Sequence, residues 1–131
     1  MAGSVELEVG IVTEDLDGLA RFLVEGLGFE PGEVRRFEAG AVHRFRRGAA
    51  RAKVFVPAAP PPGGDAAAAW PDRAGFAYAA LLVPDAAAAL ERAVAAGASV
   101  LAPVTAHRPG ARMALVRDPQ GNVWELLEEA G

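Results

Sequence analysis

Residues 117–128 read Arg117-Asp118-Pro119-Gln120-Gly121-Asn122-Val123-Trp124-Glu125-Leu126-Leu127-Glu128, a tight turn followed by a strand. Pro119 fixes its own φ, Gly121 tolerates positive φ and Asn122 accepts unusual backbone angles, so turn-forming residues crowd together here. The strand predicted over Val123–Leu127 is apolar except for Glu125. A carboxylate at a half-buried strand position is costly unless it has a partner or a task. The plain alternative is a solvated Glu on an edge strand, and the layout of the remaining chain decides between the two.

That layout is a repeat. Residues 5–12 alternate, with Val5, Leu7, Val9 and Ile11 on one face and Glu6, Glu8 and Gly10 on the other. Asp15 is a good N-cap, and Leu16, Leu19, Phe22, Leu23 and Leu27 follow at helical spacing to a stop at Gly28. Strands are predicted near 29–38, 42–47 and 52–56, separated by glycine turns. Residues 58–73, rich in Pro, Ala and Gly, read as a linker. The pattern then restarts: a strand over 75–83, a helix over 86–96 capped by Asp85, and strands near 99–102, 111–117 and 123–127. Glu8 precedes Asp15 by the same seven residues that separate Tyr78 from Asp85. The chain is therefore predicted to be α+β, with module one over 5–57 and module two over 74–128 in one domain spanning 1–131.

Composition narrows the class of function. With 131 residues the chain has room for one real core. No apolar run approaches the length of a membrane span and no signal-like segment opens the sequence, so a cytoplasmic protein with no membrane partner is expected. The absence of cysteine excludes disulfides, thiolate metal sites and cysteine nucleophiles. A net charge of −4 argues against general nucleic-acid binding. Among the 13 basic residues the single lysine is Lys53.

The paired βαβββ layout, the helix end Gly26-Leu27-Gly28-Phe29 and the terminal Asp-Pro-Gln-Gly-Asn-Val-Trp-Glu-Leu over 118–126 resemble the vicinal oxygen chelate superfamily of glyoxalases, bleomycin-resistance proteins and extradiol dioxygenases. The resemblance covers nearly the whole chain and implies curved mixed sheets, each forming half of a cup, paired in a homodimer. In catalytic members four inward side chains on the first and last strands of the two modules hold a divalent metal. Carried over, these positions are Glu8, Lys53, Tyr78 and Glu125. An offset of two residues would place Phe55 rather than Lys53 at the fourth. A protonated ammonium has no lone pair and repels a cation, neutral Tyr is a poor ligand, and two carboxylates alone hold zinc, iron, manganese or nickel weakly. No metal and no other cofactor is therefore expected. Lys53 between Glu8 and Glu125 would instead form an ion-pair cluster replacing the metal's charge. His43 and His107 fall away from these positions, with His107 expected in a loop beside Arg108.

The resemblance then implies a metal-free protein that sequesters an aromatic or polycyclic antibiotic in a cup formed across a homodimer, with module exchange through the linker as one route to pairing. Such a cup needs flat aromatic walls and a few orienting polar groups. The candidates are Phe37, Phe45, Phe55, Phe76, Tyr78 and Trp70, with Lys53, Glu8 and Glu125 as the polar groups and Arg112 on the rim. Phe37 and Phe45 fit core positions equally, and Trp70 fits a lid, an interface anchor or a pin for the linker. Arg35, Arg36, Arg44, Arg46, Arg47 and Arg51 fit either a solvated face or an anion-recognising rim. The alternatives are a lyase, isomerase or dioxygenase, metal-dependent or using Glu8 or Glu125 as base, and a regulatory module that binds another protein on its dimer surface.

Overall fold

The computed structural model describes residues 7–60, 76 and 78–129. Among these residues eight strands and two helical segments form, in the order β1 (Glu8–Val12), α1 (Leu16–Arg21) continuing into a π-helical turn (Phe22–Gly26), β2 (Glu30–Phe37), β3 (Gly40–Arg47) and β4 (Ala50–Pro57). Then follow β5 (Ala79–Leu82), α2 (Ala86–Ala95), β6 (Ser99–Arg108), β7 (Ala111–Arg117) and β8 (Val123–Glu129). The two four-stranded sheets have matching orders, β1-β4-β3-β2 and β5-β8-β7-β6, with the first pair of each parallel and the rest antiparallel. This is the predicted α+β architecture of two βαβββ modules.

Each helix is opened by the predicted aspartate. Asp15 accepts a bond from the Gly18 amide at 3.0 Å and Asp85 one from Ala88 at 3.1 Å, each satisfying an N–H the helix leaves open. Leu19, Phe22, Leu23 and Leu27 are nearly inaccessible, as the periodicity requires. The second half of that helix is widened, with the Leu27 amide reaching the Phe22 carbonyl at 2.9 Å, and no residue there marks the change.

The modules join through their helices. Gly26 lies against α2 so closely that a methyl there would meet the Ala96 methyl at 3.2 Å. Phe22 tilts onto Trp124 with centroids 5.8 Å apart, and the Arg21 guanidinium donates to the Ala95 carbonyl. A single apolar core results, with Ile11, Val54 and Phe45 from module one beside Leu81, Ala93 and Leu126 from module two.

The stretch over 117–128 is a clamp on this core. Asp118, 4% exposed, accepts from the amides of Gln120 and Asn122 at 2.9 Å, from Asn122 Nδ2 at 3.0 Å and from the indole of Trp124 at 3.0 Å. The turn thereby fixes the ring that caps Phe22. Gln120 in turn accepts a short bond from the hydroxyl of buried Thr13 in module one.

Strand β6 runs further than expected, through His107 and Arg108, so His107 lies in a strand rather than a loop. Pro103, within this strand, lacks an N–H. As β6 is the edge of its sheet, that loss leaves no ladder partner wanting, and register shifts absorb the ring. Among the described residues no helix is long and apolar enough to cross a membrane.

Candidate functional site

Strand alternation sorts the residues of module one onto two faces. Ala52 and Val54 of β4 and Ala41 and Phe45 of β3 are buried toward the helices. Lys53 and Phe55, with Val42 and Arg44, take the opposite, open face. There they line a depression of about 490 Å3 together with Gly10, Val12, Arg35 and Phe37.

The register defines two adjacent rows across this face. Gly10 pairs with Lys53 and Lys53 with Arg44, while Val12 pairs with Phe55, Phe55 with Val42 and Val42 with Arg35. The first row carries charge and the second is apolar until Arg35. Glu8 joins the first row from the side: its carboxylate lies 3.4 Å from Lys53 Nζ and 3.4 Å from the Arg44 guanidinium. Phe37 stands on Phe55, centroids 5.9 Å apart and planes 13° from parallel, and remains 47% exposed. The aromatic pair forms a flat apolar wall beside a cation cluster.

The same register shows which residue of β4 is equivalent to Glu125 of β8. In module two Ala80 of β5 pairs with Glu125 of β8, and in module one Gly10 of β1 pairs with Lys53 of β4. Gly10 and Ala80 stand at the same distance from their N-caps Asp15 and Asp85. Lys53 is therefore the counterpart of Glu125, and Phe55 is not. The four positions do not fit a divalent metal. An ammonium fills one of them, Glu8 is engaged by two cations, and Tyr78 is half exposed. Among the described residues no group of three His, Cys, Asp or Glu side chains is arranged to hold a metal.

Other expected site residues lie elsewhere. Phe45 is 6% exposed on the helix face, paired with Ala52, so it belongs to the core and not to the wall. Arg112 shares the helix-facing parity of Ala114 and Val116 and is not on the rim of the open face. It bonds Glu128 at 2.8 Å and lies 3.9 Å from Asp85, while Glu128 accepts the first free amide of α2, from Ala86, at 2.9 Å. The Arg112 guanidinium and that amide hold the Glu128 carboxyl below the ordinary carboxylate range, and Glu128 raises Arg112 in return. This triad anchors a helix N-terminus.

Glu125, 8% exposed, sits on the open side of the second sheet between Ala80 and Leu115, and among the described residues no ion pair links it to Lys53. The expected bridge from Glu8 through Lys53 to Glu125 thus reduces to Glu8, Lys53 and Arg44, because Glu125 belongs to the other sheet. Tyr78 precedes β5 on the parity of Ala80, half exposed, and Phe76 is fully exposed. Trp70 lies outside the described residues. Arg35 and Arg44, two of six arginines the sequence could not sort, are the ones the fold brings to Lys53. Their parity with Phe37 and with Lys53 across the ladder was the available signal. Arg47 is used differently, donating to the Leu27 carbonyl at the end of the helix.

The fold recurs in solved structures. A glyoxalase family protein from Bacillus cereus superposes with a TM-score of 0.83 at 21% identity, covering 100% of this chain and 99% of that one. TioX from Micromonospora sp. ML1 gives a TM-score of 0.67 at 22% identity over 96% of this chain and 99% of its own. Glyoxalase I from Zea mays gives 0.76 at 18% identity, with 96% of this chain covering 45% of the maize enzyme. No curated protein sequence matches the chain. The family model of the glyoxalase/bleomycin resistance protein/dioxygenase superfamily matches residues 7–126, and with both sheets and the 118–126 motif in place the chain belongs to that superfamily.

Proposed function

We propose that this chain is a binding protein that sequesters a flat aromatic or polycyclic small molecule, of the antibiotic-resistance kind, without transforming it. The observation that carries this reading is the exposed Phe37–Phe55 stack on the wall of the open depression, next to an ammonium where the superfamily's enzymes place a metal ligand. Stacking surfaces bind flat ligands through apolar contact and ring quadrupoles, and they ask nothing of the ligand's reactivity. The depression is open on one side, and all eight residues of edge strand β2 are exposed. Pairing of two chains supplies the missing cover in this reading, so the protein in solution has the mass of a dimer.

The test combines binding with product analysis. A panel of aromatic antibiotics is titrated against the protein, the ligand is recovered and weighed by mass spectrometry, and the protein is analysed for metal by plasma mass spectrometry after incubation with divalent ions. Saturable quenching, unchanged ligand mass and no stoichiometric metal are expected. Phe37→Ala weakens binding about two- to tenfold, the range of one aromatic pair. One metal per chain surviving dialysis, or a ligand of altered mass, would return the protein to the enzymes of its superfamily.

A further inference from the structure

We infer that the ligand of this site is an anion: a flat aromatic body bearing a carboxylate or phenolate, laid on the aromatic wall with its acidic group toward Arg35, Arg44 and Lys53. The inference rests on the proposed small-molecule site and adds the sign of its ligand.

Three cations line the depression, and Glu8 is the carboxylate in ion-pair contact with two of them. The local formal charge is thus positive on a chain whose net charge is −4. A positive patch on an acidic protein is not a by-product of overall composition. Folding does not account for it either, since Lys53 and Arg44 are 47% and 40% exposed and half-solvated ion pairs stabilise little. Both cations share one carboxylate at 3.4 Å, a long contact that leaves donors on each for a second anion.

The rows give the ligand its shape. Phe55 and Val42 make the apolar floor, and Lys53 and Arg44 stand two residues along the same strands, roughly 7 Å away at ordinary strand rise. A ring system resting on the floor therefore carries its acidic group directly or on a short link. Arg35, at the end of the apolar row, reaches the same space from β2. Two planar guanidiniums beside an ammonium favour a carboxylate, whose two oxygens accept in plane from both prongs of a guanidinium fork.

Charge-matched probes test this: 2-naphthoate, 2-naphthamide and 2-naphthylmethylammonium, titrated by calorimetry at low and at high salt. Naphthoate should bind at least tenfold more tightly than the amide, with the ammonium weakest, and the gap should narrow as salt screens it. Lys53→Gln and Arg44→Gln should each lower naphthoate affinity far more than amide affinity. Glu8→Gln, which removes the competing carboxylate, should raise it. Equal binding of naphthoate and amide would overturn the anion inference and leave the aromatic site standing. Tighter binding of the ammonium would reverse its sign. Failure of all three probes to bind would overturn the site reading and this inference together.

Discussion

Removal of the Asp118 carboxylate tests whether residues 118–124 act as a clamp on the core. In Asp118→Ala four donors lose their acceptor: the backbone amides of Gln120 and Asn122, the Asn122 side-chain amide, which can turn to water, and the indole N–H of Trp124. The two backbone amides belong to half-buried residues and can recover water, at a loss of about 1 kcal/mol each. The indole belongs to a ring that is 3% exposed and packed on Phe22, so its N–H stays unsatisfied, costing about 1–3 kcal/mol. The substitution should therefore destabilise the fold by about 3–5 kcal/mol, a large share of a typical domain's 5–15 kcal/mol. Urea unfolding followed by circular dichroism measures it. A double-mutant cycle with Trp124→Phe isolates the bond that ties turn to core, and the coupling should be about 1.5–3 kcal/mol, the range for a hydrogen bond to a charged group. Coupling under about 0.5 kcal/mol, the scatter of independent sites, would show that Asp118 shapes only its own turn.

The junction of the modules and the anchor of α2 make two further tests. Gly26→Ala pushes a methyl to 3.2 Å from Ala96 Cβ and 3.4 Å from Ala93 Cα, and should destabilise by about 1–3 kcal/mol in thermal unfolding; adding Ala96→Gly should restore part of the loss. Glu128 has a folded pKa depressed below its ordinary 4.5, chiefly by the Arg112 hydrogen bond and then by the Ala86 amide. Its contribution is therefore full above the unfolded pKa and fades as pH falls through the lower folded value. Unfolding curves of Glu128→Gln from neutral pH to below pH 4.5 should show a flatter acid limb than those of the parent chain.

The sequence made the order of elements readable because local chemistry dictates it. Asp15 and Asp85 accept from amides that any helix leaves open, and Pro119, Gly121 and Asn122 permit one turn and little else. Facing was harder to read. Strand β7 is apolar from Ala114 to Val116 on both faces, so nothing in it told that Arg112 shares the helix side. In β3 the alternation is blurred by Arg44, Arg46 and Arg47, and Phe45 passes for a wall residue until its pairing with Ala52 is known. The cation cluster was half readable. Lys53 stood out as the single lysine, but Arg44 and Arg35, which line the same depression, come from neighbouring strands whose register no local signal sets.

The two sheets share a topology and differ in sign at one position. Lys53 and Glu125 occupy equivalent places on the fourth strand of each module, facing Gly10 and Ala80 respectively. Their neighbours differ in kind: Arg44 lies across from Lys53, whereas Leu115 lies across from Glu125. A metal shared by such positions requires donors on both strands, and one ammonium removes half of that requirement while adding repulsion. What remains in module one is a positive, aromatic, half-solvated surface; in module two it is a nearly buried carboxylate among apolar side chains. The sheet order repeats, so the asymmetry of the two open faces resides in their side chains, and it is those of module one that carry the exposed cation cluster and aromatic pair.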